Sequence, residues 1–228
     1  MDWSGVRDRV AAVERARGRW SPSRPLFALF ERVLTLEEIS KVEAEIGVSL
    51  PEEYSAFLTE VGSGGPGPEC GLTTLCRAEG RWGWIWDTAG IWLATDARGP
   101  FLENDEWIGH QIATLRAAGH EPTVCDEDEH YCGDYLTAFG EHDGYRLFHE
   151  QRYCGTIHIS DYGCGMTSWL VMVGPRRGEI WFSDAAPNPP LEQLVDVGGR
   201  PYNFRTWYME WLERQEASAG IGAPWATR

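Results

Sequence analysis

No apolar run in the chain approaches the roughly 18–20 residues that a membrane-spanning helix needs. Residues 1–20 mix Arg, Asp and Glu with Val and Ala, and lack the uninterrupted apolar core of a secretory signal. Both absences predict a cytoplasmic protein. Lysine is nearly missing: Lys41 stands alone, while arginine, glycine and alanine are abundant. That bias is what a GC-rich bacterial genome produces. Bases as a class are scarce, 20 against 35 acids, for a formal charge of -15. Such a surface repels phosphate backbones, which argues against nucleic acid as a ligand, and attracts basic partners.

The cysteines lack zinc-motif spacing. Six occur, at positions 70, 76, 125, 132, 154 and 164, and no two form CxxC. In a cytoplasmic chain they are expected as reduced, mostly buried thiols. The turn Gly62-Ser63-Gly64-Gly65-Pro66-Gly67-Pro68 lacks the Lys-Ser/Thr ending of a phosphate-binding loop. It follows a helix pattern instead of a strand, and its two prolines donate no N–H.

With 43% hydrophobic residues, the 228-residue chain can bury a substantial core. Val6, Val10 and Val13 draw one apolar stripe along a charged helix over residues 4–18. Thr35 and Glu38 form an S/T-x-x-E capping box. Ile39, Val42 and Ile46 continue on one face, and Gly47 supplies a C-terminal cap. Pro51 then suits a first helical residue, and Tyr54, Phe57, Leu58 and Val61 recur at helical spacing. Trp82, Trp84 and Trp86 alternate as on a strand, whereas residues 101–118 return to helical periodicity through Trp107, Ile108, Ile112 and Leu115. Residues 155–160, 168–173 and 179–183 read as three strands of an antiparallel meander, the middle one apolar on both faces. A last helix spans 203–216.

Four constellations carry candidate chemistry. Cys164, with Asp161 and His158 upstream, supplies the residue types of an activated nucleophile, but a thiol and imidazole straddling a strand end can face apart. Cys125, His130 and Cys132 beside the acidic run, with Cys154 or His149 from elsewhere, supply metal-ligand types without the spacing of a calcium or zinc motif. Trp82, Trp84, Trp86 and Trp92 are core residues or, if exposed, an aromatic platform. Asp126-Glu127-Asp128-Glu129 is a solvated acidic loop or a docking surface for a basic partner.

The order of motifs resembles the SMI1/KNR4 (SUKH) family. The helix ending at Gly47, the Leu50-Pro51-x-x-Tyr54-x-x-Phe57-Leu58 helix and the glycine-rich turn resemble its opening. Asp161-x-Gly163-Cys164-Gly165 resembles its D-x-G-C-G turn, Gly178-x-Ile180-Trp181 a later strand, and Phe204-x-x-Trp207-x-x-x-Trp211-Leu212 the closing helix. The resemblance implies an α+β fold with helices flanking a mostly antiparallel sheet. It divides the chain into an N-terminal helical extension (1–34), the domain (35–216, with an insertion at about 73–150) and a flexible tail (217–228). Leu50, Pro51, Tyr54, Phe57, Asp161, Gly163, Gly165, Trp181, Trp207 and Trp211 are then structural. The family has no shared catalytic set, so neither catalysis nor a cofactor is expected. The implied role is binding a protein, as an immunity protein that neutralises a bacterial nuclease or deaminase toxin; the charge of Asp126, Glu127, Asp128 and Glu129 makes that run the expected part of the docking face. An intracellular adaptor is the alternative, and an enzyme centred on Cys164 a third.

Overall fold

In the computed structural model, residues 2–18, 29–78, 80–85, 91–92, 96–123, 132–184 and 191–221 are described, 91–92 as strand backbone. The valine stripe forms α1 (Val6–Ala16), with Val6, Val10 and Val13 all buried. Thr35 starts α2 (Leu36–Ile46): its Oγ1 accepts the Glu38 N–H while the Glu38 carboxylate accepts the Thr35 N–H. Gly47 closes this helix at φ 73°, a left-handed backbone that favours glycine. Pro51 is the N-cap of α3 (Glu52–Glu60), one residue before the position expected from the sequence.

Two antiparallel sheets follow. The first orders β1 (Thr74–Ala78), β2 (Arg81–Ile85) and β3 (Ile91–Trp92) side by side. The second is the expected meander with one added strand: β4 (Thr156–Gly163), β5 (Met166–Val171), β6 (Ile180–Ser183) and β7 (Glu192–Gln193). An isolated bridge, Leu72 to Ser160, and the Thr73 N–H donating to the Ile159 carbonyl at 3.0 Å link the segment before β1 to β4. The chain closes in α7 (Phe204–Ser218), capped by Asn203, whose side chain accepts the Thr206 N–H.

The main core lies between α1, α2, α3 and α7 and one face of both sheets, where Leu75, Trp82, Trp84, Ile157, Ile159, Leu170 and Ile180 are buried. Trp3 belongs to this core, edge-on to Phe57 at 5.1 Å and Tyr208 at 5.9 Å. The opposite face of the second sheet carries Trp169, Val171, Trp181 and Leu191 under Phe101 and Tyr153. Both faces of β5 are thus covered, which suits the apolar run Trp169-Leu170-Val171 at its end.

Three helices stand apart on their own core: α4 (Asn104–Ala117), α5 (Cys132–Phe139) and α6 (Glu141–Arg152). Trp107, Leu115, Tyr135 and Phe148 fill it. Gln111 points into the same interior with no exposed area, and neither its Oε1 nor its Nε2 has a hydrogen-bond partner among the described residues. A buried amide without partners costs about 1–3 kcal/mol. Gln111→Leu, of similar volume, is therefore expected to stabilise the protein by about 1–2 kcal/mol. A rightward shift of the urea midpoint at constant m checks this, and a leftward shift contradicts it.

Candidate functional site

The surplus negative charge is not spread evenly. Between positions 103 and 152, the stretch that holds α4, α5 and α6, the sequence has twelve acids and three bases. All three bases are engaged. Arg116 pairs with Glu121 at 2.6 Å, and Arg146 with Glu150 at 2.8 Å. Arg152 is buried, donates to Ser183 Oγ at 2.9 Å and lies 5.3 Å over the Tyr153 ring. Asp105, Glu106 and Glu141 are exposed and in no ion pair among the described residues. This block therefore carries nine of the fifteen surplus negative charges of the chain.

Asp126, Glu127, Asp128 and Glu129 lie in this block but outside the described residues. The two flanks of their segment are described, and Asp134 ties them together. Its carboxylate accepts the Thr123 N–H at 3.0 Å and the Thr123 hydroxyl at 3.0 Å, and lies 2.8 Å from His120 Nε2. Burial works to raise the Asp134 pKa, but the bonds from His120 and Thr123 outweigh it and hold the carboxyl below its ordinary value. A lowered folded pKa contributes stability above the unfolded value of about 4 and loses it as pH falls through the folded one. Asp134→Ala is expected to cost about 1–3 kcal/mol at pH 7 and much less at pH 2. Urea titrations at both pH values check this; an equal cost at both pH values contradicts it.

Of the residues considered for a metal, Cys125 and His130 lie outside the described residues. Burial raises the Cys132 thiol pKa, with Arg152 opposing. Burial, then the Asp96 charge 3.6 Å from its sulfur, pushes Cys154 up to about 11. Burial brings His149 down to about 4, between the rings of Tyr145 and Tyr153. Among the described residues no group of three or more His, Cys, Asp or Glu could hold a metal ion. The expectation of mostly buried thiols needs correction. All five described cysteines are free, but Cys70 and Cys164 are exposed and Cys76, Cys132 and Cys154 half-buried. Two sit in tight turns, where polar backbone requires solvent and carries its side chains out with it.

In the Asp161 to Gly165 turn these residues act together. Gly163 and Gly165 adopt φ 82° and 83°, and Cys164 between them φ 54°. The Asp161 carboxylate accepts the Gly163 N–H and closes the turn. His158 lies further down β4, 2% exposed, 5.1 Å from the Trp169 ring. Its pKa is brought down to about 4 by burial. An exposed thiol at a turn and an imidazole inside the sheet are in opposite environments. Asp161 is committed to the backbone.

Trp82 and Trp84 are buried, the latter donating from Nε1 to the Tyr54 hydroxyl at 2.7 Å. Trp86 lies outside the described residues, and Trp92 is described as a backbone position in β3. Leu50, Tyr54, Phe57, Trp181 and Trp207 are buried. Trp211 is only half-buried, although the sequence pattern puts it on the apolar side of α7. The close approaches around the glycine-rich turn escaped sequence reasoning: a Cβ on Gly64 would meet Thr74 Oγ1 at 2.4 Å.

Two antiparallel sheets flanked by helices, in this order, define an α+β domain. Residues 33–195 match the SMI1 / KNR4 family (SUKH-1), and the chain belongs to that family. No curated protein and no solved structure matches it. Among the described residues no helix is long and apolar enough to cross a membrane.

Proposed function

We propose that the chain is a non-catalytic immunity protein that neutralises a basic toxin domain, of nuclease or deaminase type, by binding over it. The observation that carries this reading is the charge asymmetry: twelve acids against three bases over positions 103–152, with each of those bases already engaged. Membership of the SMI1 / KNR4 family supports it. A field of one sign raises the rate of encounter with a partner of the other, and it acts before any contact forms. Asp126, Glu127, Asp128 and Glu129 are assigned to the docking face. The Asp134 clamp holds the two flanks from which their segment departs. No covalent step is required: a nuclease or deaminase domain must present basic or polar groups to its substrate, and an acidic surface that covers them competes directly.

The test is capture from the source organism's lysate with the tagged chain, at low and moderate salt, read by mass spectrometry. One basic nuclease- or deaminase-like protein, lost as salt rises, is the expected result. Recovery of housekeeping proteins alone contradicts the reading and favours an adaptor.

A further inference from the structure

A groove of about 480 Å³ lies between the end of α1, the glycine-rich turn and α7. Glu14 lines it from α1 and Arg17 from the cap of that helix, Glu69 and Cys70 from the turn, Trp211 and Gln215 from α7. Its walls are tied to the fold. Tyr208 donates its hydroxyl to the Pro66 carbonyl at 2.8 Å. Ser160 Oγ lies 3.0 and 2.8 Å from the Pro68 and Gly71 carbonyls, and the Cys70 N–H donates to the Asp161 carbonyl at 3.3 Å.

Two features of this groove bear on what it could hold. The first is Trp211. Phe204, Trp207, Tyr208 and Leu212 on the same helix are buried, whereas Trp211 touches Tyr208 at 5.1 Å and leaves part of its surface on the groove wall. The second is Glu69. It is exposed, makes no ion pair or hydrogen bond among the described residues, and sits at φ 55°, a left-handed backbone rarely adopted by a side chain of that kind. The one base on the wall, Arg17, donates to Ser218 Oγ at 3.3 Å.

We propose that this groove receives an arginine or lysine side chain of the protein partner, held against Trp211 with its charge facing Glu69. The proposal rests on the partner-binding reading above and adds a second point of contact to it. An aromatic ring and a carboxylate in no ion pair among the described residues, lining one groove, favour a cation over a neutral group, since the attraction of the ring and that of the carboxylate act on the same charge. The net charge of -15 favours the same occupant. Preorganised walls reduce the ordering that binding would otherwise require.

The test uses two labelled peptides, tetra-arginine amide and its neutral isostere tetra-citrulline amide. Binding is read from the indole N–H signals of the protein, with Trp211→Phe assigning the relevant one. Tetra-arginine is expected to shift the Trp211 signal and tetra-citrulline to leave it in place. Glu69→Gln, at an exposed site, is expected to weaken tetra-arginine about fivefold with Tm unchanged. Equal binding of both peptides overturns the proposal, as does a Glu69→Gln protein that binds tetra-arginine like the wild type. If that variant has no effect while reversing Asp126, Glu127, Asp128 and Glu129 weakens the peptide, the groove fails and the acidic docking face stands. If neither change matters, both fail.

Discussion

Phe57→Ala is expected to lower the unfolding free energy by about 3–5 kcal/mol, a large part of the roughly 5–15 kcal/mol that a typical protein has. The ring has no exposed area and is the meeting point of three separate parts of the chain. Trp3 lies 5.1 Å away, Tyr208 5.0 Å and Phe204 5.2 Å, each centroid to centroid. Truncation removes the transfer free energy of the ring and leaves a cavity between aromatic neighbours that cannot collapse into it. Phe204→Ala acts on the same cluster, so the double variant should cost less than the two single costs added. Urea unfolding by circular dichroism reads all three. A loss below about 1 kcal/mol for Phe57→Ala would mean that this aromatic cluster is not the centre of the core.

Replacing Asp126, Glu127, Asp128 and Glu129 by lysine is expected to slow association with the basic partner by about ten- to a thousandfold at low ionic strength. The change in formal charge is eight units, within a chain of charge -15. It falls in the block where every base is already engaged, so nothing nearby compensates for it. Steering is a long-range effect screened over about 8–10 Å at physiological salt, so the wild-type rate should fall steeply with salt and the variant's should not. Stopped-flow mixing over a salt series reads both slopes. Parallel slopes would remove this segment from the docking face.

The helices that could be read from sequence were those whose local signals agreed with one another. The Thr35 box, the Gly47 cap and the Tyr54–Phe57–Leu58 spacing each act within one turn of chain, and each forms as the residues require. The meander was legible for a similar reason, since alternation and turn residues are local. α5 and α6 were not. Their sequence, Cys132 to Arg152, is rich in charge and is interrupted by Gly133, Gly140 and Gly144, residues that favour turns. Gly144 is inside α6 because a Cβ there would come within 2.3 Å of the Tyr135 carbonyl oxygen. Close packing of two helices overrode propensity, and nothing within either segment announces the partner. The exposure of Cys70 and Cys164 and the Trp211 groove escaped in the same way. Each depends on where distant segments meet: the Trp211 wall is built from residues 14 to 17, 65 to 71 and 211 to 215. The order of the family's motifs, by contrast, is legible in the sequence, because it is carried by the chain itself.

The central claim is neutralisation by stoichiometric binding, and one titration tests it most directly. The captured basic partner is assayed for its own activity, nuclease or deaminase, while purified chain is added in steps. The account predicts a linear fall to full inhibition at one equivalent, with the wild-type potency retained by Cys164→Ser because no thiol chemistry is involved. A saturated complex that retains the partner's full activity would contradict it and make the chain an adaptor.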